Sequence, residues 1–128
     1  MRRIRSAASR LLLFCLLGCI AATLIHHVHN AEHLHDYPNL PAWLSRAGVY
    51  SAWVIATAIG VIGYRLRHRG LLALYACYAL DGLAHYALAP ISAHTTMMNL
   101  TIWLEAAAGA ALLITLFRAG ARRGRPSP

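Results

Sequence analysis

The chain has 128 residues, of which 59% are hydrophobic and only 12% charged, and its mean hydropathy is +0.50. Small domains bury the smallest fraction of their chain, so a soluble fold of this size could not hide that much apolar surface. The composition excludes an ordinary soluble enzyme and points to a single membrane domain, 1–128. The net charge is +8 and the pI about 10.3, with every basic residue an Arg. Cys15, Cys19 and Cys77 lie inside apolar runs, and an odd number there is not a disulfide framework.

Four apolar runs follow in chain order, at about 11–28, 47–64, 71–89 and 97–117. At about 1.5 Å per residue, even the 18-residue runs cover about 27 Å, close to a bilayer core. Lipid offers backbone groups no partners, so the runs are expected to be helices. Arg2, Arg3, Arg5 and Arg10 precede the first. Arg65, Arg67 and Arg69 separate the second from the third, and Arg118, Arg122, Arg123 and Arg125 follow the fourth. Only Arg46 lies on the opposite side. The positive-inside rule then places both termini in the cytoplasm. The expected fold is all-α: an integral membrane four-helix antiparallel bundle with a disordered tail at 122–128. The charge is thereby topological, with no reason to expect nucleic acid. Leu16-Leu17-Gly18-Cys19 after a basic start also resembles a cleavable secretory signal, although the length of the run favours a retained span. Gly48, Ala52, Ala56 and Gly60 recur every four residues on span two, a ladder that lets helices approach closely.

The histidines are placed asymmetrically. Of eight, only His68 lies on the arginine side, among charges, where solvation is its expected role. The other seven gather at the opposite, outer side. Cys15, Cys19, Ala22, His26, His29 and His33 form one helical stripe. Two imidazoles at i, i+4, as in His29 and His33, can chelate one metal ion. Glu32, His35 and Asp36 add further ligands or supporting partners. On span three, Asp81 and His85 are again i, i+4, and an ionisable residue inside a span is a functional candidate by default. Counted inward from the loop, Asp81 and Glu105 reach depths of about 14 and 12 Å. Two bare carboxylates there would repel, so at least one is expected to be protonated, or both to face a cation or a water-filled cavity. His94, Met98, Thr101 and Glu105 step inward along span four, and Tyr78 joins Asp81 and His85 on span three.

Imidazole, carboxylate and thioether donors together suit copper or zinc, and Met97 and Met98 tilt the choice to copper. The residues Asp81-Gly82-Leu83-Ala84-His85, with His94 beyond, are similar to the Asp-x-x-x-His…His copper ligands in a membrane subunit of particulate methane monooxygenases. The likeness covers three residues, differs in its second spacing, and implies a similar ligand geometry only. The expected metal ligands are therefore His26, His29, His33, His35, Asp81, His85, His94, Met98 and Glu105. The expected function is a small inner-membrane protein of bacterial type that binds, conducts or hands over a transition metal from its outer, periplasmic side. One alternative is a structural or accessory subunit of a larger membrane complex. Another is an electron carrier holding b-type haem between histidines of different helices. No nucleophile–base pair or phosphate loop is present, and catalysis is the weakest expectation.

Overall fold

The computed structural model describes the backbone of residues 2–121, with side chains described from 9 to 119, and the described residues are helical or in turns. Residues 122–128, read above as a tail, lie outside the described part. Four segments are long and apolar enough to cross a membrane: Ser9–Glu32, Arg46–Arg65, Arg69–Leu88 and Thr96–Ala119. This is consistent with a multi-pass membrane protein.

Helix α1 runs Arg2–Glu32, thirteen residues longer than the apolar run that announced it. No Gly or Pro interrupts the sequence between Glu32 and the turn at Pro38, so the helix carries its histidines onward. Its 31 residues extend about 46 Å, well beyond a hydrocarbon core of about 30 Å. A single 3-10 turn, Leu34–Asp36, follows.

Helix α2 spans Arg46–Arg65 and is capped by Ser45, whose hydroxyl accepts from the Gly48 N–H at 3.1 Å. Helix α3 spans Arg69–Tyr78. His68 is not merely solvated: its ring nitrogen accepts from the Leu71 N–H at 3.2 Å and caps α3.

The third span is broken, where one continuous helix was expected. After Tyr78 the chain turns, forms a 3-10 segment at Asp81–Ala84, and resumes as the short helix α4, His85–Leu88. The bonds Leu80 N–H to Cys77 and Leu83 N–H to Leu80 are three residues long, at 3.0 and 3.1 Å. Asp and Gly are poor helix formers, and the adjacent Asp81-Gly82 places both at the break. Irregular backbone at membrane depth is tolerated only where protein or a cavity surrounds it. Helix α5, Thr96–Ala121, completes the fold.

Helix α1 packs on α2 and α5, and α3 packs on the same two from the other side. Small residues set the distances. A Cβ on Gly109 would lie 2.8 Å from the Ala76 carbonyl, and one on Gly60 would lie 2.6 Å from the Tyr75 ring. The four-residue ladder of α2 is therefore used in part internally: Ala56 and Gly60 are buried, while Gly48 and Ala52 are exposed. Cys19 is fully buried beside Leu16, Leu72, Tyr75 and Leu112, an apolar packing position. Thr23 binds three helices together. It donates to the Ile20 carbonyl at 3.0 Å, meets the Tyr75 hydroxyl at 3.1 Å and accepts from Trp53 Nε1 at 3.1 Å. Phe14, Leu17, Ile55, Leu100, Leu104 and Phe117 face outward, as a lipid-covered surface requires.

The contact at Gly109 is with backbone, which cannot swing aside. Gly109→Ala is expected to cost about 1–3 kcal/mol of overpacking strain. Gly18→Ala, with nothing within 4 Å of the added methyl, should not destabilise and should gain up to about 1 kcal/mol of helix propensity. Unfolding in detergent checks the pair.

Candidate metal centre

The polar residues collect where α1 ends, the third span breaks and α5 begins, in two tiers. The upper tier is a cavity of about 500 Å³ lined by His29, His33, Asp36, Thr95, Met97 and Met98. His29 lies in the last turn of α1 and His33 just past its end, bonded back by its N–H to the His29 carbonyl at 3.0 Å, and their rings lie 4.6 Å apart, tilted by 30°. His29 Nδ1 meets the Tyr37 hydroxyl at 2.9 Å, and His33 Nδ1 meets Asp36 Oδ2 at 3.2 Å. With both Nδ1 atoms bonded to oxygen, the Nε2 atoms are the ones left for a ligand. Across the cavity, Met97 is 54% exposed, whereas Met98 is buried, its sulfur accepting from the Thr95 N–H at 3.4 Å.

The lower tier lies among α1, the broken third span and α5. Glu105 is fully buried, and neither carboxyl oxygen has a hydrogen-bond partner among the described residues. Its neighbours are imidazoles: His26 Nε2 at 3.6 Å and His27 Nδ1 at 3.5 Å, too far for good hydrogen bonds. His27 is committed elsewhere. Its Nδ1–H donates to the Thr23 carbonyl at 2.8 Å, and its Nε2 accepts from the Tyr78 hydroxyl. His26 is different. The Thr101 hydroxyl donates to the Met98 carbonyl at 3.0 Å, so it accepts from His26 Nδ1–H at 3.3 Å. That network assigns the proton to Nδ1 and leaves Nε2 as a bare lone pair facing the carboxyl.

His85, at the start of α4, stands edge-on to His26 with ring centroids 5.5 Å apart. Asn30 Nδ2 donates to its Nε2 at 3.4 Å, and its Nδ1 has no partner. His94 is held by its Nδ1–H on the Pro90 carbonyl at 3.0 Å, which leaves a buried Nε2 unbonded. Gly82 closes the floor. A Cβ there would lie 2.7 Å from Glu105 Oε2 and 3.6 Å from His26 Nε2, so any larger residue would force the carboxyl to shift.

Tyr37 separates the tiers. It is 4% exposed, although it comes from the loop after α1. Its ring lies 4.8 Å from His85 and 6.5 Å from both His26 and His94, while its hydroxyl reaches up to His29. Asn39, at φ 58°, ties the same loop to the broken span by donating to the Leu88 carbonyl at 2.9 Å. Burial pushes the Tyr37 phenol up to about 12.

The structure thus brings His26, His85 and Glu105 together, with His94 one ring further on and His29, His33 and Met98 above. It leaves out two expected ligands. His35 is exposed on the 3-10 turn. Asp81 is exposed on the 3-10 segment, and no ion pair joins it to another described residue. The switch to 3-10 winding changes the register of the third span, so Gly82 takes the inward position that α-helical counting gave to Asp81. Among the described residues, no three His, Cys, Asp or Glu side chains converge as a ready-made metal site. Sequence reasoning missed Tyr37, His27 and Asn30 as members of the cluster. The only signal was their density around the histidines. The chain matches no family model, no curated protein and no solved structure.

The raised Tyr37 value gives a pH dependence of definite sign. A phenol whose pKa is higher in the fold than its ordinary value of about 10 stabilises the closed loop fully below that value. The contribution is lost as pH rises through about 12. The phenolate absorbance of the protein minus that of Tyr37→Phe should therefore show one group titrating near 12. A midpoint near 10 would mean that the loop stands open.

Proposed function

We propose that this chain is an antiparallel four-helix membrane bundle, with both termini cytoplasmic, that binds a copper or zinc ion at its outer, histidine-bearing end. Its role would be to capture the ion or hand it on. One observation carries the reading. The upper cavity holds two imidazoles one helical turn apart, each with Nδ1 bonded to an oxygen, facing two thioethers. Tying off one ring nitrogen fixes the tautomer and orients the other for a metal. The donor set fits: thioether sulfur supplies the soft ligands that the convergence of His, Cys, Asp and Glu alone does not, and it favours copper, above all Cu(I). Bound metal would supply the ligand-field and charge terms, while the chain's part is to hold His29 through Tyr37 and His33 through Asp36.

Elemental analysis of copper-loaded, dialysed protein in detergent tests this. About one copper per chain is expected, with affinity lowered about 10–100-fold or more in His33→Ala. Met98→Leu, which conserves volume, should weaken Cu(I) and leave folding unchanged. A wild-type chain that retains no metal defeats the reading.

A second reading, that of an accessory subunit, is favoured by Asp81. An exposed carboxyl on the exterior of a membrane segment is costly unless it pairs with a residue of another chain. In native membrane extracts, the chain should then migrate in a larger complex, and Asp81→Leu should release it. Unchanged migration of the variant would count against pairing at this position.

A further inference from the structure

We infer that the groove between α2 and α3, together with Asp81 beside it, is a docking surface for a membrane helix of another protein that carries one basic side chain. The inference rests on the second reading above, that of an accessory subunit, and names the chemistry of what docks. The groove is a cavity of about 260 Å³, with Ala52, Ile55, Ala56, Leu74 and Tyr78 among the residues that line it. Its rims are open: Ile55 is 62% exposed and Leu74 56%. Its α2 wall is low where Ala52 and Ala56 stand, and small residues let a second helix approach closely.

Asp81 belongs to the same face. Tyr78 lines the groove, and three residues turn the chain through about 300° in α winding and about 360° in 3-10 winding, so Asp81 falls near the direction of Tyr78 in either. Asp81 is exposed, and no ion pair joins it to another described residue. It lies within the third span, Arg69–Leu88, where an ionisable side chain is costly unless it is paired. A second copy of this chain does not supply the partner. The sequence contains no Lys, and Arg10, Arg46, Arg65, Arg69 and Arg118 stand at the ends of the spans. Arg46 is already engaged by Glu32 at 2.6 Å. His26, His27 and His85 are buried inside the molecule. Two copies that met across this groove in a common orientation would bring two Asp81 carboxyls together, a repulsive contact.

Charge complementarity therefore calls for a different chain, with Arg or Lys at the depth of Asp81 and an apolar face on the small residues of α2. The groove gives closeness and the carboxyl gives selection. An apolar helix without a cation fits the groove but leaves Asp81 bare, whereas one with an acidic residue is repelled.

The probe is a synthetic membrane helix of Leu and Ala with one central Lys and a dansyl acceptor. It is reconstituted with the full-length protein in phosphatidylcholine vesicles, and energy transfer from Trp43, Trp53 and Trp103 reports association. Saturable transfer is expected, at least about tenfold weaker for the same helix with Leu in place of Lys. Asp81→Asn should abolish that difference. Asp81→Lys should reverse the preference, favouring a helix with a central Glu, which shows that the variant is folded and that charge is read. Ala52→Phe, which fills the groove and leaves Asp81 in place, should weaken the Lys helix by a similar factor. Equal transfer from the Lys and Leu helices, or a preference for Lys that survives Asp81→Asn, overturns the proposal. So does association of two differently labelled copies of this chain that the Lys helix does not displace, since a second copy then covers the groove. No transfer from any helix leaves the groove to lipid and also overturns it. If the Lys helix fails while Asp81→Leu still releases the chain from a larger complex in native extracts, the accessory reading stands and only the basic-helix partner falls.

Discussion

A fully buried carboxyl group governs this structure. Glu105 is inside the protein, in the middle of an apolar segment, and the fold around it is the set of arrangements that such a group demands. Imidazoles approach from α1. The third span gives up helical winding beside it, and the residue that passes closest has no side chain. Each of these features would be a defect elsewhere. A broken helix is tolerated at membrane depth only against protein or a cavity, and the break at Asp81–Ala84 lies against the Glu105–His26 pair.

The histidines divide by what their second nitrogen does. His27, with both nitrogens bonded, is part of the scaffold and links α1 to α3 through Tyr78. His26 and His94 each have one nitrogen bonded to an oxygen and the other left bare. His29 and His33 repeat the pattern at the surface. Adjacent residues, His26 and His27, thus have opposite characters. One is ordered for structure and the other is available for chemistry. Counting histidines does not reveal this, because the distinction resides in their partners.

Much of the fold was legible in the chain. The apolar runs marked the four helices long and apolar enough to cross a membrane, since lipid leaves a segment no option but to satisfy its own backbone. Glu105, His26, His85 and His94 stood out as polar groups in apolar surroundings. The ladder on α2 announced close packing, and Gly60 against Tyr75 is that packing. The i, i+4 spacing of Asp81 and His85 presumed α-helical winding through a stretch that adopts 3-10 geometry.

What the sequence determined by itself is set by local hydropathy and charge. It gives the number of segments long and apolar enough to cross a membrane, and the stretches and residue types in which polar groups gather. Tertiary structure alone decided which of those groups meet. Tyr37 comes from a turn-rich loop and reads as surface, yet it is buried among four imidazoles because α1 overruns the bilayer length and the loop folds back onto α4. Gly82 is the buried residue and Asp81 the exposed one on a segment whose 3-10 winding no residue count contains. Periodicity describes one element at a time. A site built from three helices and a loop depends on how their registers combine.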